Sequence, residues 1–283
     1  MLCQRELQTV TTDGRVLAGR SFGPADGQPI LFVAGAATGK SMLFGDDLLE
    51  AMKLRIITMD RPGLGDSTPD PARTLESTAA DYRSFVAAAL GEKAAPIPVV
   101  ANSQGAVFAL KLASMGGTAS LTLVSPADEL AHPAIHAMLP PEATMLADLA
   151  QSAPEEAAAI LGGFSAQAME EMVISGSNAD DASFYQAEPF LSLYRRGLAE
   201  GFMNDGSGYV TDTLIAMRSW QLDFDAISCP AQVLFGAGDL SHSPDHGETL
   251  TSRIPGASRT VFSDAGGALL WTHAKKILEL ASA

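Results

Sequence analysis

The sequence reads as an α/β protein, a mostly parallel, doubly wound sheet with a long helical block inserted into it. Two observations carry this reading. Short apolar, β-branched runs alternate with helical patterns from Ile30 to Val124, as parallel strand–helix–strand crossovers require. From Asp128 to Leu222, helical stretches punctuated by Pro133, Pro140, Pro141, Pro154 and Pro189 succeed one another without a convincing strand run, and strand-like residues return at Ala231. Residues 1–127 and 223–283 are therefore assigned to one α/β core, and residues 128–222 to the insertion.

The elements follow in order. Residues 6–12 alternate polar and apolar side chains, Asp13-Gly14 is a hairpin-turn signal, and residues 15–22 alternate again. The continuous apolar run at 30–34 suits a strand covered on both faces, and residues 54–59 form the next strand, ending at Asp60. Between them the spacing of Leu43, Phe44, Leu48, Leu49 and Met52 predicts a helix over 41–52. A helix starts near Thr74 and runs to 90; a strand over 96–101 leads into a helix over 104–115, and 120–124 is a strand. Beyond the insertion, strands over 231–235 and 259–262 are followed by helical patterns at 247–254 and 273–280.

Composition narrows the function. Of 283 residues, 47% are hydrophobic, ample for a large core and far from the composition of a disordered chain. The two cysteines, Cys3 and Cys229, form no disulfide framework and do not cluster with histidines at metal-ligand spacing. The N-terminal residues lack the pattern of a secretory signal, and no apolar run is long enough for a membrane span, so a soluble, cytoplasmic protein is expected. A net charge of −15 disfavours nucleic acid and anionic membranes as partners and leaves a small-molecule substrate. Nothing in the sequence addresses oligomeric state.

Four local motifs carry chemistry. In Val99-Val100-Ala101-Asn102-Ser103-Gln104-Gly105-Ala106 an apolar strand enters an alanine-rich helix through a serine flanked at −2 and +2 by small residues. Such a reversal brings strand and helix backbones close together and holds its serine in a strained conformation, which only small neighbours permit. The others are Ala34-Gly35-Ala36-Ala37, Asp60-Arg61-Pro62-Gly63-Leu64-Gly65-Asp66-Ser67 and Gly236-Ala237-Gly238-Asp239, each following a predicted strand. In this order they resemble the α/β-hydrolase fold family: its H-G-x-x loop with Ala34 for histidine, its D-x-P-G-x-G-x-S loop, its G-x-S-x-G elbow with Ala101 for the first glycine, and its G-x-x-D acid loop.

The resemblance implies an α/β-hydrolase fold with the insertion as a helical cap, and chemistry that uses neither cofactor nor metal. It places Ser103 as nucleophile and Asp239 as the acid that orients a base. A hydroxyl attacks only when a base takes its proton, and the backbone N–H groups of Ala36 and Gln104 would stabilise the oxyanion that forms. Asp60 and Arg61 are read as organising loops behind the site.

The base is the departure. In the family it follows the last strand; here residues 263–271 read Ser-Asp-Ala-Gly-Gly-Ala-Leu-Leu-Trp, and Gly267 stands in the base position. Glycine neither accepts nor returns a proton. His273 is taken as the substitute, although it reaches the site only if the Gly266-Gly267 loop is rearranged. His242, three residues after Asp239, and His132 are alternatives, and His246 is read as the start of a surface helix. His136 lies four residues from His132, a weak metal pair without a carboxylate motif. Leu270 and Trp271, beside Gly267, are expected to line the pocket.

Four readings follow. The first is a serine hydrolase with a displaced base, acting on a small, largely uncharged ester, lactone or amide. The second is a fold member that has left acyl transfer and serves as a lyase- or cyclase-like enzyme or as a binding protein. The third is an ordinary enzyme into which Gly267 has been introduced. The fourth comes from Ala34-Gly35-Ala36-Ala37-Thr38-Gly39-Lys40-Ser41, which resembles a phosphate-binding P-loop with its first glycine changed. In the insertion, Arg195, Arg196 and Arg218 are outnumbered by acids, which disfavours an anionic substrate.

Overall fold

Eight strands form one sheet in the computed structural model, which describes residues 3–91 and 95–283. β1 (Gln4–Val10) and β2 (Val16–Phe22) make the antiparallel hairpin, and β2 pairs antiparallel with β4 (Leu54–Met59). β3 (Gln28–Val33), β5 (Ile97–Ser103), β6 (Thr118–Pro126), β7 (Ala231–Gly236) and β8 (Ser258–Phe262) continue the sheet in parallel. The spatial order is β1-β2-β4-β3-β5-β6-β7-β8. The chain runs outward from β3 to β4, then returns to the other side of β3 as β5. Loops leaving β3 and β5 thus diverge at a switch point, where open α/β sheets form a crevice.

Both faces of the central strands are covered, which is why β3 reads as a continuous apolar run. Leu31 and Val33 pack into one core with Phe85 of α2 (Leu75–Leu90) and Phe108 of α3 (Gly105–Ser114). Ile30 and Phe32 pack on the opposite face with Leu49 of α1 (Leu49–Met52) and Ile277 of a C-terminal helix. Each such fully buried side chain contributes about 1.5–3 kcal/mol. Thr74 caps α2 by accepting from the Ser77 amide at 3.1 Å, while the Ser77 hydroxyl accepts from the Thr74 amide at 2.9 Å.

The insertion between β6 and β7 holds α4 (Pro133–His136), α5 (Pro141–Ser152), α6 (Pro154–Leu161), α7 (Ala166–Ser175), α8 (Ala179–Gln186), α9 (Phe190–Gly201) and α10 (Ser207–Met217). It rests directly on loops leaving the sheet. A Cβ on Gly201 of α9 would lie 1.8 Å from the Ala37 carbonyl oxygen, and one on Gly208 of α10 would lie 2.4 Å from the carbonyl carbon of Gly63. Glycine is what allows that approach. The remaining helices, α11 (Glu248–Arg253), α12 (Leu269–Thr272) and α13 (Ala274–Ala281), flank β7 and β8 in the chain. Among the described residues no helix is long and apolar enough to cross a membrane.

One helix expectation fails. Over 41–52 only α1 is helical, because Gly45 turns the chain at φ +62° where a Cβ would stand 2.8 Å from Leu278. Met42, Leu43 and Phe44 are buried from a loop, so their helical spacing reflects tertiary packing.

Candidate active site

The strand-to-helix reversal after β5 holds Ser103 at φ +52°, a conformation that non-glycine residues adopt at a cost. Its neighbours explain how the chain sustains it. A Cβ on Gly105 would stand 2.3 Å from the Val33 carbonyl oxygen, and the Ser103 carbonyl accepts from the Ala127 amide at 3.0 Å. Ser103 opens onto a cavity of about 550 Å³ roofed by insertion residues such as Phe164, Tyr185 and Tyr209. Its hydroxyl has no protein partner among the described residues.

The loop after β3 runs beside it. A Cβ on Gly35 would lie 3.1 Å from Ser103 Cβ, and Ala36 and Gln104 line the same cavity. Among the described residues neither the Ala36 nor the Gln104 amide has an acceptor. The loop's other polar groups are engaged: buried Arg61 donates from Nη1 to the Ala34 carbonyl and from Nη2 to the Gly35 carbonyl, both at 2.9 Å. Arg61 Nε also donates to Asp212 Oδ2 of α10 at 2.6 Å.

After β7, Gly236 passes so close to Ala265 that a Cβ would stand 2.4 Å from its backbone, and Asp239 follows, buried. Asp239 Oδ1 accepts from the amides of Ser241 and His242 at 3.0 and 3.3 Å, a turn that folds the His242 ring back onto its own carboxylate. His242 Nδ1 lies 2.9 Å from Asp239 Oδ2, and His242 lines the cavity. Burial opposes ionisation of Asp239, but adjacent His242 and the Ser241 amide bring its pKa down to about 2.

Gly267 also lines the cavity, and a Cβ built there would stand 3.4 Å from Asp239 Oδ1. Its amide and that of Ala268 donate to Asp181 of α8 at 2.7 and 3.2 Å, so the insertion also grips this loop.

His273 is not brought to the site. α12 turns the chain so that His273 packs its ring on Phe262 at 5.4 Å and reaches Asp264 at 3.5 Å, away from the cavity lining. The same turn puts Leu270 wholly into the core, while Trp271 lines the cavity and donates Nε1–H to the Leu43 carbonyl at 3.0 Å. His136 pairs with Asp148 at 2.9 Å, and His132 Nδ1 is buried without a partner among the described residues. His246 precedes α11 and sets Nε2 3.2 Å from the Asp239 carbonyl oxygen.

The P-loop expectation also fails on geometry. Buried Lys40 holds Asp60 at 2.9 Å and Asp66 at 2.6 Å, and no helix begins at Ser41, so neither the free lysine nor the helix N-terminus of a phosphate cradle is present. Among the described residues no group of three His, Cys, Asp or Glu could hold a metal ion. Tyr185, Asp181 and Asp128 escaped the sequence reading as site residues because the insertion carries no recognisable motif. Asp128 lines the cavity, and burial pushes its carboxyl above the usual range.

Comparison with known proteins agrees with this architecture. A hydrolase from Pseudomonas aeruginosa PA01 superposes with a TM-score of 0.70 at 20% identity, covering 98% of this chain and 97% of that one. The enol-lactonase from Burkholderia xenovorans LB400 gives 0.68 at 17% identity, covering 97% and 98%. A thermophilic esterase from Thermogutta terrifontis gives 0.66 at 21% identity, covering 99% and 97%. No curated protein matches the sequence. The sequence profile described as "Alpha/beta hydrolase family" matches residues 30–279, most of the chain and all four motifs, and the chain belongs to that family.

Proposed function

We propose that the chain is a serine hydrolase of a small ester, lactone or amide carrying no negative charge, with residues 128–222 as a cap over the site. The observation that carries this reading is that His242, paired with buried Asp239, lines the same cavity as strained Ser103. Ser103 Oγ adds to the carbonyl carbon while His242 Nε2 takes its proton. The oxyanion accepts from the Ala36 and Gln104 amides, each donor worth on the order of 3 kcal/mol in the barrier. Collapse expels the leaving group, which takes the proton back from Nε2, and water repeats the sequence to release the acid. His242 replaces His273 as the proposed base, since His273 is turned toward Asp264. The esterase and enol-lactonase among the structural neighbours support this class of chemistry. Among the described residues no Lys or Arg lines the cavity, which supports exclusion of anionic substrates.

A fluorophosphonate probe tests the reading: it should label the wild-type chain and not Ser103→Ala. Hydrolysis of 4-nitrophenyl acetate should fall by about 10³-fold or more in His242→Ala and stay within about twofold in His273→Ala. Absence of labelling in the wild type would favour the second reading, a non-hydrolytic enzyme or binding protein, for which the side-chain-free place at Gly267 beside Asp239 speaks.

A further inference from the structure

We propose that the space over Gly267 is a subsite for a methylated ammonium group of the ligand. The inference deepens the hydrolase reading and rests on it for the molecule that carries the cation; binding at the subsite does not depend on turnover.

The space itself is the first observation. Gly267 lies outside the left-handed region, and the atoms nearest to a Cβ there would be Asp239 Oδ1 at 3.4 Å, the Tyr185 hydroxyl at 3.5 Å and Asp181 Oδ2 at 3.7 Å. Those are ordinary contact distances, so the glycine leaves room against the cavity wall with three oxygens around it.

The second is that the two carboxylates offer charge but few free lone pairs. Asp239 Oδ1 already accepts from two amides and faces His242 Nδ1. Asp181 Oδ2 accepts from the Gly267 amide and from Asn178 Nδ2, both at 2.7 Å. A primary ammonium brings three N–H donors and would leave some unpaired here. A trimethylammonium has none to satisfy and needs only negative potential and polarisable surface.

Aromatic side chains supply that surface. Tyr185, Phe190, Tyr194 and Trp271 all line the cavity, with Phe190 at centroid distances of 4.9 Å from Trp271, 5.2 Å from Tyr185 and 5.7 Å from Tyr194. Tyr185 is 4% exposed, yet its hydroxyl has no protein partner among the described residues and points toward the Gly267 space. Burial and the adjacent carboxylates hold the phenol in its protonated form, so its oxygen presents a dipole to the subsite without a charge of its own. No Lys or Arg is among the described lining residues, the one ionisable base of the wall, His242, is paired with Asp239, and the net charge of −15 draws cations from a distance.

Calorimetric titration of the full chain with choline and with its uncharged isostere 3,3-dimethylbutan-1-ol tests this. Choline should bind about tenfold or more tighter. The preference should fall below about threefold in Gly267→Leu, which fills the space, and in Tyr185→Ala, which opens the wall. Folding of each variant is checked by thermal melt, and either folded variant suffices. Equal affinities, no binding of choline, or a preference that survives in a folded variant overturns the proposal. Acetylcholine and 3,3-dimethylbutyl acetate separate the two readings. Tight choline binding without turnover of either ester sinks the hydrolase reading and keeps the subsite. Turnover of both esters without preference keeps the hydrolase and sinks the subsite.

Discussion

Arg61 of the loop after β4 and Asp212 of α10 form an ion pair with Nε 2.6 Å from Oδ2, both side chains essentially inaccessible to water. Through its other two nitrogens Arg61 holds the carbonyls of Ala34 and Gly35. In a trans peptide the carbonyl of Gly35 and the amide of Ala36 point in opposite directions. Anchoring the one on Arg61 therefore aims the other away from it, and an inserted helix thereby sets the orientation of a proposed oxyanion donor.

Arg61→Lys should lower kcat on 4-nitrophenyl acetate by about tenfold or more while changing KM little, because one ammonium cannot hold Asp212 and both carbonyls with a planar fork. Affinity for a boronic acid, which mimics the tetrahedral adduct, should fall in parallel. A rise in KM alone would remove Arg61 from this role. Asp212→Ala is a stability test: it strands Arg61 and Arg73, which lies 2.5 Å from Asp212 Oδ1, and should cost about 3–5 kcal/mol in urea unfolding.

Gly267→His in a His242→Ala background should restore hydrolysis by about tenfold or more, since the new Cβ stands 3.4 Å from Asp239 Oδ1 and the new ring inherits the freed carboxylate. Unchanged kcat/KM relative to His242→Ala would show that a ring at 267 does not reach Ser103.

Asp239 gives a pH signature. Its pKa in the folded chain is depressed to about 2, so the stability it contributes is present above its ordinary value near 3.8 and is lost as pH falls toward 2. The contribution is about 2 kcal/mol at neutral pH. The stability difference between wild type and Asp239→Asn in urea should therefore shrink by about 1 kcal/mol or more between about pH 5 and pH 2.5. A constant difference would mean that His242 and the loop amides together do not favour the ionised carboxylate over its unfolded state.

Lys40→Met should destabilise by about 3–5 kcal/mol, because it leaves Asp60, wholly buried and 2.9 Å from Nζ, without its counter-charge. ATP with Mg²⁺ should leave the wild-type melting temperature unchanged. A ligand-induced rise that Lys40→Met abolishes would restore the nucleotide reading.

The parallel core was legible because its signals are local. β3 to β7 are short, largely apolar runs separated by helical patterns, and the elbow at Ser103 and the loop ending at Asp239 depend on small residues at fixed offsets. Where apolar residues take their spacing from distant partners, as at 41–48 against α13, the local rule misled.

The sequence by itself determined the order of strands and helices along the chain, including a run of helices between β6 and β7, and the small residues that crowd a serine into a strained turn. Only the tertiary structure decided which histidine stands at Asp239, that Arg61 is anchored from α10, and that Lys40 is spent on Asp60 and Asp66. Periodicity and turn chemistry act over a few neighbouring residues. Ring orientation, charge pairing and cavity walls depend on side chains far apart in the chain, 151 positions for Arg61 and Asp212, and exist only once the insertion has docked.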